Sequence, residues 1–413
     1  MRLAVFEFGS GGHYASYLEA LLEGWQRLRP ASTIQFVVTP EFVDLNAPTA
    51  AAIVGAAHAG VELTVLGAEQ QSALDEAQRP DRVPWNWLNE GPEAGSRSRT
   101  EWDIIQSHGQ RFGADLCLAM EIDHLLPALA SNLRVAVPMS GIWFKPTFHY
   151  GDFENQSDAA SRLHEKLVIA RVLANTALVN LFCLDQFVTA KLQTTSHGHK
   201  MIAVADPLPE AATPPRDASR QRIGVDLARH VLLIFGNISA RKGVIDALLA
   251  LEELPSQQQQ RLCIVIAGVP LEIDETQLRD LLLRLRRTGM QVIDRLEHIP
   301  ETDIPVLFAA SDTVLAVYRK HPGSSGVILR AALHGRPVLA QDYGLMGKMV
   351  RDHRLGLTVN SPAATDLTSG LQASLEGTVE RLFDPQAAAL LVGRHSRKTF
   401  SDAILRLALA ERR

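Results

Sequence analysis

The sequence predicts an α/β protein made of two doubly wound, Rossmann-like domains. Three observations predict it. Short, continuous apolar runs rich in Val, Ile and Leu recur along all 413 residues, as strands buried on both faces of a parallel sheet require. Segments with helical periodicity lie between them, and this alternation is the pattern of a sheet covered by helices on both sides. Residues 206–215 (DPLPEAATPP) carry four prolines, which oppose helix and strand alike and divide the chain into halves of similar size. One hydrophobic core seldom serves a chain this long.

The first strand is expected at 3–8 (LAVFEF), followed by the turn GSGGH and a helix at 14–28 whose Leu18, Leu21, Leu22 and Trp25 share a face. Further strands are expected at 34–39, 61–66, 116–120, 135–139, 177–183 and 201–205. Residues 66–100 are polar, hold Pro80, Pro84 and Pro92, and read as an excursion from this pattern. Past the proline-rich boundary, 230–235 (HVLLIF) opens the second half and a helix follows at 243–254. Strands at 262–267, 291–296, 313–318, 337–340 and 355–359 then alternate with helices at 275–287, 304–310 and 326–334. The tail, 395–413, reads as an amphipathic helix.

Bulk properties exclude several classes. Composition is that of an ordinary globular protein, with 46% hydrophobic and 21% charged residues. The longest apolar stretch, 50–68, contains His58 and Glu62 and is a poor membrane span. The start, MRLAVFEFGS, lacks the charged, apolar and small-residue regions of a secretory leader, so a cytoplasmic location is expected. Cys117, Cys183 and Cys263 sit singly inside apolar runs and read as reduced core residues. Residues 1–207 hold 15 Lys and Arg against 23 Asp and Glu, whereas residues 208–413 hold 26 against 23. That mild basic excess suits a small anionic ligand in the second half and is too diffuse for nucleic acid.

The most informative stretch is 235–244, FGNISARKGV. A glycine turn after a buried strand delivers Arg241 and Lys242 to the point where a helix begins, beside free backbone N–H groups, which suits a phosphorylated ligand. No D-x-D lies at a strand end and no H-E-x-x-H occurs, so no metal cofactor is expected.

Two doubly wound halves, GSGGH after the first strand, the basic turn and LHGRPVLA near the end together resemble a GT-B glycosyltransferase, most nearly glycosyltransferase family 4. The resemblance implies two Rossmann-like domains facing a central cleft: 1–206 for the acceptor, 207–394 for the donor, and a final helix, 395–413, crossing back. It implies retaining transfer from a nucleotide-diphosphate sugar to a small-molecule, glycan or glycolipid acceptor, with no cofactor beyond that co-substrate. Gly11 and Gly12 match the family's glycine pair beside the donor. Lys242 matches the lysine that neutralises the diphosphate, while Asn237 stands where the arginine usually does, leaving Arg241 to replace it. Backbone near 296–299, including Leu296 and His298, corresponds to the region that contacts the nucleobase.

The register fixed by Gly335 and Pro337 puts Pro322 and Arg330 where the two glutamates of E-x7-E belong, the first for the transferred sugar and the second for the ribose. Donor contacts then fall to Ser324, Ser325 and Gly326 at a helix start, and to Arg330. Gly344 and Gly347 match a glycine-rich loop in which Lys348 replaces a glutamate. The family's histidine near Gly141 is absent, and His13, His149, Glu121 and Asp123 are the nearest replacements, with Arg241 and Lys242 stabilising the leaving group. All five tryptophans fall in the acceptor half. Trp85 and Trp87 are the expected sugar-stacking platforms, and the loop 141–153 is expected to line the site. Two alternatives remain open: a nucleotide-sugar-binding scaffold that has lost transfer with its glutamates, and a nucleotide-sugar epimerase.

Overall fold

Leu3 and Val5 pack into one apolar cluster with Leu18, Trp25 and Phe400, and Ala4 and Phe6 pack into another with Trp102, Ile105 and Trp143. A strand whose alternate residues enter different cores must be apolar throughout, which is why 3–8 carries no clean alternation. A computed structural model describes residues 1–11, 14–28, 31–78, 86–131, 133–146, 159–209, 211–321 and 323–410. They form two units, one of Met1–Pro209 with His395–Arg413, the other of Glu210–Arg394.

The strands of the first unit are β1 (Arg2–Glu7), β2 (Thr33–Val38), β3 (Val61–Val65), β4 (Leu116–Ala119), β5 (Met139–Trp143), β6 (Leu178–Cys183) and β7 (Met201–Ala203). They form one parallel sheet in the order β3-β2-β1-β4-β5-β6-β7. The helix Arg397–Ala410 lies on the helix Tyr14–Leu28. There Phe400 meets Tyr17 edge to face at 5.0 Å, and Arg397 forks onto Glu19 and Glu23 at 2.8 and 2.6 Å.

One predicted strand is displaced. Residues 135–138 are not a strand; β5 starts at Met139, and the loop before it gives the N–H groups of Ala136 and Val137 to the Gln106 side chain at 2.7 and 2.9 Å. That amide satisfies the backbone of Ala136 and Val137 without a ladder, and Pro138 has no N–H to offer one. Among the described residues, no helix is long and apolar enough to cross a membrane.

The second unit repeats the plan with β8 (His230–Phe235), β9 (Leu262–Ala267), β10 (Gln291–Arg295), β11 (Thr313–Ala316), β12 (Val338–Gln341) and β13 (Gly356–Val359). Their order is β10-β9-β8-β11-β12-β13, again all parallel. The amino ends of its two central strands are tied by a buried ion pair. Arg220 is 1% exposed; it donates to Asp312 at 2.5 Å and to the carbonyls of Ala310, Leu227 and Arg229 at 3.0 to 3.1 Å. Asp312 also accepts from Arg216 and from the Val231 N–H at 2.7 Å.

Every nitrogen of this guanidinium donates a hydrogen bond, so removing its carboxylate partner strands a buried charge. We expect Asp312→Ala to cost about 3 to 5 kcal/mol of unfolding free energy. Arg220→Met with Asp312→Leu should cost less than either single change. Urea denaturation of the four proteins checks this, and equal losses in single and double variants would contradict it.

Candidate functional site

In a doubly wound sheet, loops leave adjacent strands in opposite directions where the strand order reverses, and ligands sit in the crevice at the carboxyl ends there. In the second unit that point lies between β8 and β11. Gly243, at φ +69°, ends the turn after β8, and a β-carbon on it would stand 2.1 Å from the Val317 carbonyl oxygen. Only glycine allows this approach. Next to it the Arg319 N–H donates to the Arg241 carbonyl at 2.9 Å, so the two loops are stitched together.

Arg241 and Lys242 therefore stand side by side. The Lys242 ammonium folds back onto the Phe235 carbonyl at 2.8 Å and lies 5.8 Å from the centre of the Tyr318 ring; the Arg241 guanidinium lies 5.4 Å from it. Burial, then repulsion from Arg241, pulls the Lys242 pKa down to about 8. Burial and Arg241 also hold His321 near 4, so it is neutral. Among the described residues no carboxylate pairs with Arg241 or Lys242, whereas neighbouring Arg319 has Asp246 at 3.0 Å. The Tyr318 hydroxyl meets Ser325 Oγ at 3.0 Å, and Ser325 caps the helix Gly326–Leu333 through the Val327 N–H. Two crowded cations beside a helix start attract an anion.

Of the expected donor residues, Arg241, Lys242 and Ser325 come together here, with Ser324 and Gly326 exposed at the helix start and Asn237 exposed in the turn after β8. Leu296 and His298 follow β10 at the sheet edge. Arg330 faces elsewhere: its guanidinium forks onto Glu301 at 3.2 and 3.3 Å. Lys348 pairs with Asp352 at 2.8 Å. Gly12, His13, Trp85, His149 and Pro322 lie outside the described residues. Gly11 is exposed, with open space where a side chain would stand.

The first unit has its own switch point, between β1 and β4, and a cavity of about 110 Å³ opens there. Glu7, at the end of β1, is 2% exposed; its Oε1 accepts the Gly9 N–H at 2.7 Å, and its Oε2 has no partner among the described residues. Burial, reinforced by Glu121 and Glu101, raises its pKa well above the carboxylate range. Glu121 accepts from Tyr14 at 2.9 Å and Lys145 at 3.1 Å; burial pushes it up, but Lys145, Tyr14 and His124 outweigh that and hold it low. Glu101 is paired with Arg97 and with His124, the latter at 3.3 Å. Burial lifts Asp123 to about 6 despite the N–H groups of Phe144 and Lys145 that it accepts.

Glu121 is legible in the sequence, whereas no motif singles out Glu7. Its signal was present: a carboxylate inside the apolar run AVFEF, at a strand end. The tryptophan expectation needs correction. Trp87 is 4% exposed and Trp25, Trp102 and Trp143 are buried, so none of these four is a stacking platform. Trp87, between Asn86 and Leu88, packs inward, and Trp143 belongs to β5, not to a loop beginning at 141.

Residues 229–377 match the glycosyl transferases group 1 family model. That match covers most of the second unit. No curated protein matches the sequence. Solved structures share the fold, two parallel-sheet Rossmann-like domains of the GT-B class. HepE of Anabaena, solved with UDP, is 16% identical over 99% of this chain and 100% of its own, with a TM-score of 0.64. The same protein is also solved with UDP-glucose. A glycosyltransferase from Rickettsia africae is 10% identical over 100% and 99% of the two chains (TM-score 0.63). Sucrose-phosphate synthase from Thermosynechococcus elongatus is 15% identical over 99% and 97% (TM-score 0.61).

A carboxyl whose folded pKa is raised contributes its stabilisation below the unfolded value and loses it as pH rises through the folded one. The first unit should therefore weaken from pH 5 to pH 8 on account of Glu7. We expect Glu7→Gln to raise the thermal midpoint at pH 8 and to change it little at pH 4.5. An equal gain at both would show that Glu7 is not desolvated in solution.

Proposed function

We propose that this protein is a glycosyltransferase that takes a sugar from a nucleotide-diphosphate donor, a UDP-sugar, and passes it to a hydroxyl-bearing acceptor with retention at the anomeric carbon. One observation carries the reading: two adjacent cations with no carboxylate partner among the described residues, at the switch point of a domain that matches the group 1 family. The UDP complexes of the Anabaena neighbour support the choice of nucleotide. Retention follows the family that the motifs resemble.

Lys242, Arg241 and the N–H groups opening Gly326–Leu333 neutralise the charge that grows on the diphosphate as the bond from its oxygen to the sugar breaks. These groups supply the electrostatic role without a divalent ion, so turnover should persist in EDTA. Gly11, with open space at its α-carbon, leaves room for a donor to approach its backbone. His298 and Leu296 follow β10, where the base would lie. The ribose carboxylate expected at position 330 is then supplied by Glu301, which Arg330 holds.

A second reading has an observation in its favour. Arg330 turns to Glu301 and away from the basic turn, so the helix lacks the family's second glutamate and gives no direct substitute for it. A scaffold that binds nucleotide sugars without transferring them would look the same here. Binding of UDP-glucose with no UDP release in the presence of acceptor panels would favour it.

A thermal-shift screen of nucleoside diphosphates and their sugars tests binding; ligand at a hundredfold excess over Kd adds about 2.7 kcal/mol. Lys242→Ala should weaken UDP binding by about 1.5 to 3 kcal/mol and leave uridine binding unchanged. Because the free Lys242 side chain loses its proton near pH 8, UDP affinity of the unmutated protein should fall above that pH. Calorimetry at pH 7 and 9 checks both statements, and equal losses for UDP and uridine would show the basic turn to be mere surface.

Arg330→Glu should lower UDP affinity about tenfold, because Glu301 then faces a like charge, while unfolding free energy changes by less than about 1 kcal/mol. Adding Glu301→Arg should restore binding. Failure of the swap to restore it would remove Glu301 from the donor site.

A further inference from the structure

The face of the first sheet that buries Ala4 and Phe6 turns polar one strand further on. Ala4 pairs with Gln35 of β2 and Gln35 with Glu62 of β3, so the apolar cluster beneath the helix Arg97–Phe112 gives out at β2. An open groove of about 410 Å³ lies there and reaches Arg2, which opens β1 at the end of the sheet opposite the Glu7 cavity. Its lining holds two guanidiniums, Arg2 and Arg111, two amides, Gln35 and Gln70, and the His108 imidazole, but no carboxylate. Neither guanidinium has an ion pair among the described residues. Glu62 accepts from the Gln35 amide at 3.4 Å, and Asp115 accepts the Arg2 backbone N–H at 2.9 Å. This stands out in a half that is acidic overall, where Arg97 and Arg99 on the same helix are matched by Glu101 and Asp103.

The cations are also held in place. Arg2 lies over the Phe112 ring at 4.1 Å, a contact that fixes a guanidinium without neutralising it. His108 meets Gln70 Oε1 at 3.1 Å, which leaves the Gln70 NH₂ group to donate. Guanidinium forks fit the oxygens of a tetrahedral anion, and two of them without counter-ions match a double negative charge. A phosphate monoester carries nearly that charge at neutral pH, whereas a phosphodiester or a single carboxylate carries one. We propose that this groove binds the phosphate of a soluble phosphomonoester between Arg2 and Arg111. The site does not rest on the transferase reading.

The test uses the full chain with isotope-labelled histidine, the His108 resonance being assigned by its loss in His108→Gln. Inorganic phosphate and glycerol 3-phosphate are the probes, with dimethyl phosphate and succinate as the singly charged and the non-tetrahedral controls. Both phosphates should move the His108 resonance to saturation, and both controls should bind about tenfold more weakly or not at all. Affinity for glycerol 3-phosphate should fall about tenfold in Arg111→Gln and in Arg2→Gln, and less in Arg2→Lys, which keeps the charge and loses the fork. Lys242→Ala should leave the His108 response as it is, which separates this groove from the basic turn. Unchanged thermal midpoints show that the variants are folded. No saturable shift with either phosphate, undiminished affinity in Arg111→Gln, or a control that binds as tightly as the monoester would overturn the proposal.

Discussion

At Gly243 a side chain would collide with the Val317 carbonyl, and the chemistry of the second unit depends on that close approach. It brings the turn after β8 against the end of β11, where Arg319 N–H and Arg241 carbonyl lock them. Lys242 folds back over its own strand onto the Phe235 carbonyl, with Arg241 beside it. Lowering a lysine from its usual 10.5 to about 8 costs the charged form about 3 kcal/mol. An anion placed against the pair offsets that cost, so the paired cations favour one.

The same topological rule yields a different site in the first unit because the charges are differently arranged. Around Glu7 each cation has a carboxylate partner, and the balance is local. Around Lys242 it is not. The sequence shows this imbalance only as a difference between halves, acidic against mildly basic. Most of the second half's arginines are spent in ion pairs, such as Arg284 with Glu252 and Arg295 with Asp303, so the bulk excess does not locate the site. The local absence of a counter-ion does.

Strands were legible because burial on both faces allows only apolar residues, as in HVLLIF, and this also made the sheet parallel and the fold doubly wound. The basic turn was legible because strand, glycine and helix follow one another within ten residues. What escaped was set by partners far away in sequence. Gln106 decides that 135–138 is a loop by taking two of its N–H groups, and Glu301 decides where Arg330 points. Trp87 looked exposed from its neighbours, yet it is buried. Glu7 was hidden by the very apolarity that identified its strand.

The two ends of β8 and β11 divide stability from function. At the amino ends, Asp312 accepts from Arg220 and from the Val231 N–H, a buried, satisfied arrangement that fixes how the strands start. At the carboxyl ends the loops carry a repelling cation pair, a neutral histidine near 4 and a cap shared between Tyr318 and Ser325. Like charges held together oppose folding, and a site built from them persists only where other contacts over-determine the backbone. The Arg220–Asp312 tie supplies that surplus at the opposite end of the sheet. It follows that weakening it should loosen the spacing of Arg241 and Lys242 before the unit unfolds, so anion affinity and stability are coupled through the length of two strands.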